Sequence, residues 1–139
     1  DLLPGQTLLV VGPERSRRAL LLALSGRLLA TGGKAKILGY VMPEQAGEIR
    51  HHATFIDGAD AASLPHLGRL RGDLVVVDHA DRLEGTPRAR LAALACDLGH
   101  RTLILGAARA EAVSDLATPG GGVRLLDLEP QAALSGGVK

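Results

Sequence analysis

Eight residues behind the first apolar run carry most of the chemical interest: Gly12-Pro13-Glu14-Arg15-Ser16-Arg17-Arg18-Ala19. A glycine-opened loop between a strand and a helix aims backbone N–H groups at an anion, and the helix start adds its own positive end. The chemistry such a loop serves is phosphate binding, and its full pattern is G-x-x-x-x-G-K-[ST]. Here the second glycine is Arg17, the lysine is Arg18 and the hydroxyl residue is Ala19. Side chains at Arg15 and Arg17 crowd the backbone where phosphate oxygens approach, and a planar guanidinium is a poor replacement for a compact ammonium. The expectation is a strand-to-helix turn kept for the fold, set against a second reading in which the arginines retain an anion or a nucleotide.

Further candidates lie at the ends of other apolar runs. Leu74–Val77 ends at Asp78, followed by His79; Thr54–Ile56 ends at Asp57-Gly58; Thr102–Leu105 ends at Gly106-Ala107-Ala108. Asp78 reads either as a polar strand end, bonded to nearby backbone or arginine, or as a metal-shell carboxylate. His79 is the one candidate general base, since imidazole titrates near neutral pH; its plainer reading is a hydrogen-bonded histidine. His51-His52 point apart on a helix, and His66 and His100 stand alone, so no metal site is expected. Cys96 is unpaired by count and is expected to be a small buried filler.

These residues are positioned by an alternation of apolar runs and amphipathic stretches. Strands are expected at Thr7–Val11, Lys36–Tyr40, Thr54–Ile56, Leu74–Val77, Thr102–Leu105 and Val123–Leu128, the buried ones reading as continuous aliphatic runs. Helices are expected at Ser16–Ala30, Pro43–His52, Ala59–Leu70 (interrupted by Pro65), Pro87–Leu98, Ala110–Ala117 and, briefly, Gln131–Leu134. The alternation implies an α/β fold, a three-layer parallel sheet with helices on both faces, whose ligands bind at the carboxyl ends of the strands.

The totals narrow the function classes. The 139 residues suit a single domain spanning 1–139, and the core must be aliphatic because Phe55 and Tyr40 are the only aromatics. A net charge of +1 and the lack of stacking platforms argue against nucleic acid as a partner. No apolar run approaches the ~20 residues of a membrane span. A start at Asp1-Leu2-Leu3-Pro4, without Met, suggests a trimmed domain or a piece of a longer protein.

In order and spacing the chain resembles the ATP-binding cassette of ABC transporters. Pro4-Gly5-Gln6-Thr7 and LLVVGP resemble the entry to that family's phosphate loop, and GPERSRRALLLALSGRLLATGGKAKILGY its loop, helix and next strand. Leu74–Asp78 resembles the Walker B strand, Asp81-Arg82-Leu83-Glu84 lies at the D-loop position, and Arg101–Leu105 resembles the strand before the switch histidine. The resemblance implies a P-loop NTPase-like fold, with Gly12–Ala19 as a degenerate Walker A, Asp78 as Walker B-like and Asp57 at the Q-loop position.

The departures are systematic. His79 stands where the family has a glutamate base, and Ala107 or Ala108 where it has the switch histidine. The stretch between Asp57 and Asp73 is too short for the family's helical subdomain, and Leu134-Ser135-Gly136-Gly137 falls after the last strand rather than before Asp78. The resemblance therefore implies a catalytically inactive binding or regulatory module: cytoplasmic or peripheral at the inner face of the plasma membrane, and partnered with a membrane permease or a second cassette in a homo- or heterodimer. No cofactor is expected. The alternative is an atypical P-loop ATPase that uses ATP and Mg²⁺ to drive transport, with Arg18 on phosphate and His79 as base.

Overall fold

A computed structural model of the chain describes residues 5–25, 35–37, 40–42, 53–60, 62, 64–65, 73–117 and 122–128. The expected helices Pro43–His52 and Gln131–Leu134, most of Ala59–Leu70, the distal part of Ser16–Ala30, His51, His52, His66 and the Leu134–Gly137 string lie outside these residues.

The aliphatic runs form strands as their composition requires: β1 Thr7–Val11, β2 Ala35–Ile37, β3 Tyr40–Met42, β4 Ala53–Asp57, β5 Leu74–Asp78, β6 Thr102–Ala107 and β7 Val123–Asp127. Five of them make one parallel sheet in the order β4-β5-β6-β1-β7. The central strands β5 and β6 are buried along their whole length. In β7, at the sheet's edge, Leu125 and Leu126 are 45% and 40% exposed. One expectation is corrected here. Lys36–Tyr40 is not a single strand; β2 and β3 pair antiparallel, separated in sequence by Leu38-Gly39.

Alternation along the strands sorts the core into two layers. Val10, Leu74, Val76 and Ile104 face helix α1, Glu14–Leu24, and pack with Leu21 and Leu24. Leu9, Val75, Val77, Leu103 and Leu105 face the other side, where Leu91 of helix α2, Gly85–Cys96, meets them with Ala80 and Leu83. Helices thus cover both faces of the sheet, and all five strands end at the same edge.

Three local expectations shift. The first helix begins at Glu14, two residues before Ser16. Cys96 is exposed at the last turn of α2 rather than buried. The stretch Ala110–Ala117 is not an α-helix but a 3-10 helix over Ala110–Val113 followed by turns, with Leu116 and Ala117 both donating to the Val113 carbonyl. Val113, Ser114 and Asp115 are poor helix formers, and Thr118 precedes Pro119, which disfavours helical backbone at that point.

Candidate functional site at the carboxyl edge of the sheet

Between β1 and α1 only Gly12 and Pro13 remain outside regular structure. Glu14, Arg15, Ser16, Arg17, Arg18 and Ala19 form the first turns of α1, so the window is a tight turn rather than an extended cradle. Glycine is required at the turn. Gly12 has φ +138°, and a Cβ there would lie 2.8 Å from Cβ of Leu128. The Gly12 N–H donates to the Ala107 carbonyl, tying the turn to the end of β6.

Helical spacing then decides where the arginines go. Arg17, Leu21 and Leu24 share the buried stripe of α1. Arg17 therefore points at the sheet, where Asp78 shares the α1-facing side of β5 with Leu74 and Val76. Arg17 Nε donates to Asp78 Oδ1 at 2.7 Å, with side chains 2% and 0% exposed, and Arg17 NH1 donates to the Gly12 carbonyl at 3.0 Å. The Cδ of Arg17 and Oδ1 of Asp78 press on Gly106 of β6: a Cβ at that position would stand 2.6 Å from the carboxylate oxygen and 2.6 Å from Cδ1 of Leu21.

Asp57 and Asp78 are register partners on neighbouring strands. Two carboxylates placed side by side repel unless cations neutralise them, and the site supplies those cations. Arg18 donates to Asp57 Oδ2 at 2.8 Å and lies 3.7 Å from Asp78 Oδ2, with its guanidinium over the ring of Phe55 at 5.7 Å. His79 Nδ1 lies 2.7 Å from Asp57 Oδ1. The His79 backbone N–H donates to Asp78 Oδ1 at 2.8 Å, and Gly58 N–H donates to the Asp78 carbonyl.

His79 is held in left-handed backbone geometry, φ 51°, unusual for a residue with a Cβ. This bend turns the chain from β5 into the 3-10 helix Ala80–Arg82 and leaves the imidazole between two carboxylates. On its far side Nε2 lies 3.2 Å from Glu14 Oε1, an ion-pair contact without hydrogen-bond alignment. Burial pulls the His79 pKa down, but the contacts with Asp57 and Glu14 and the charge of Asp78 outweigh it and raise it above the ordinary histidine value. Glu14 is lowered, chiefly by His79. Asp57 is lowered too: burial opposes this, while Ala59 N–H, Arg18 and His79 favour its ionised form.

A cavity of about 310 Å³ opens beside this network, with Gly12, Glu14, Arg17, His79, Asp81 and Arg109 in its wall. Asp81 Oδ2 accepts from Ala108 N–H at 3.4 Å, so the residues following β5 and β6 meet there. Sequence position brings Gly12, Glu14, Arg17, Arg18, Asp57, Asp78 and His79 together as the fold predicts. Arg15, Ser16 and Ala19 are exposed on α1 and take no part in the hydrogen bonds described above. The Arg17–Asp78 pair was signalled by Arg17 lying four residues before Leu21 on an apolar stripe, where a buried arginine requires an acid. The Glu14–His79 contact had no comparable signal, because it depends on the left-handed turn at His79.

The site thus defines a parallel α/β domain whose strand-end carboxylates are neutralised by its own cations. No protein-family model and no curated protein matches the chain.

Proposed function

We propose that this chain is a degenerate cassette-type module that does not turn over nucleotide and serves as a binding or regulatory partner of a membrane transporter. The parallel sheet, with β1 and its glycine turn between β6 and β7, is compatible with a P-loop-like fold. The carrying observation is the Arg17–Asp78 pair. A guanidinium from the helix covers the strand-end carboxylate, and the residues that would cradle phosphate are wound into α1. Arg18 and His79, the two groups an ATPase reading requires, are both engaged with Asp57. The transporter partner, a permease or a second cassette, rests on the sequence resemblance.

Thermal melting with millimolar MgATP tests this reading. A ligand that binds only the folded state stabilises it by about 2.7 kcal/mol at a hundredfold excess over Kd. The proposed module shows no shift, whereas a saturating upward shift would favour the ATPase reading. Co-purification with a permease tests the partner separately.

A further inference from the structure

Only one histidine among the described residues stands between two carboxylates from different elements. His79 Nδ1 faces Asp57 at the end of β4 at 2.7 Å, and Nε2 faces Glu14 in the first turn of α1 at 3.2 Å. A neutral imidazole has one N–H, one lone pair and no charge; the imidazolium donates to Asp57 through Nδ1 and pairs by charge with Glu14 at Nε2. Glu14 and His79 also both line the 310 Å³ cavity at the strand ends.

We propose that His79 is a proton-operated clasp that holds the Glu14 side chain against the ends of β4 and β5 at the wall of this cavity. With its proton bound, the imidazolium bridges Asp57 and Glu14. Loss of its proton leaves a lone pair on one ring nitrogen. Asp57 keeps the remaining N–H because its contact is shorter and it is further fixed by Ala59 N–H and Arg18. The lone pair then falls opposite Glu14, whose side chain, 62% exposed, turns into solvent.

The other charges around the ring fit this division. From α1, Arg17 is held by Asp78 and Arg18 by Asp57; from β5, Asp78 Oδ2 lies 3.8 Å from Nδ1. From the segment after β5, Asp81 and Arg82 line the cavity with Arg109 from beyond β6, and Arg82 acts on Glu14 from a distance. Carboxylates therefore dominate the ring's immediate contacts. The clasp is independent of whether nucleotide binds.

The test is a proton NMR titration of the isotope-labelled chain, following the His79 ring and the backbone amides of Glu14 and Gly58. The His79 ring should titrate above an unperturbed imidazole, with the Glu14 amide moving at the same midpoint and the Gly58 amide much less. In Glu14→Gln, a change at an exposed side chain, the midpoint should fall, and the helix-start amides should no longer follow it. A wild-type midpoint at or below that of free imidazole, or a Glu14 amide indifferent to it, overturns the proposal. His79→Gln should abolish the transition at Glu14; a transition that survives in that variant also overturns it.

Discussion

Arg17 and Asp78, 61 residues apart in sequence, form a buried ion pair that joins the first helix to the central strand β5. The pair explains how an aliphatic core tolerates charge at its edge, since each partner compensates the other where water does not reach. Asp78 also accepts the His79 N–H, and Arg17 donates to the Gly12 carbonyl, so both have secondary partners that fix their geometry.

Removing one member should therefore cost more than removing both charges. Arg17→Met leaves a buried carboxylate without its cation, a change that costs about 3–5 kcal/mol in comparable buried pairs. The double variant Arg17→Met/Asp78→Asn should lose less than the sum of the two single changes, with a coupling of about 1 kcal/mol or more. Urea unfolding of the four proteins measures it, and strict additivity would show that the pair contributes no specific coupling.

Gly106 is the floor on which the pair rests. Gly106→Ala places a methyl 2.6 Å from both Asp78 Oδ1 and Leu21 Cδ1, and both of those residues are fully buried. Overpacking of this kind costs about 1–3 kcal/mol. Chemical denaturation should show that loss, and an unchanged midpoint would mean that α1 shifts freely.

Stability should fall on both sides of a mildly acidic optimum. Asp57 and Glu14 have lowered pKa values in the folded chain, so their contribution is present above the unfolded carboxylate range and disappears as pH falls through the folded values. His79 is raised, so its contribution is full below the unfolded imidazole value and disappears as pH rises through the folded one. Urea midpoints measured across this range should show an alkaline decline that His79→Gln flattens. A decline of the same size in that variant would assign it to another group.

Arg18→Lys should not create an ATPase. Position 18 lies in the second turn of α1, directed at Asp57 and Phe55, and a lysine there still lacks a loop to share phosphate with. A phosphate-release assay should give the same baseline as wild type; measurable turnover by this single variant would refute the assignment of the window to the helix.

Much of the sheet was legible because two-face burial writes itself as continuous aliphatic runs. Leu74–Val77 and Thr102–Leu105 read as buried strands, and their ends located Asp78 and Gly106. The charge pattern was harder to read. The expected turn runs to Arg15, with the helix from Ser16, whereas Pro13, with its preset φ, leads straight into a helix at Glu14, and Arg17 lies on its buried face. Cys96 was misplaced for a related reason: small apolar neighbours in α2 do not show which face turns outward, and only Leu91 is fully buried there. The role of His79 depends on one backbone angle, which no composition rule specifies.

The most direct measurement is calorimetric titration of MgATP into the wild-type chain. With Arg17 on Asp78 and the phosphate-loop residues in α1, the prediction is no saturable heat at millimolar nucleotide. A saturable isotherm at millimolar nucleotide would contradict the account, because it would show that the chain still holds a nucleotide.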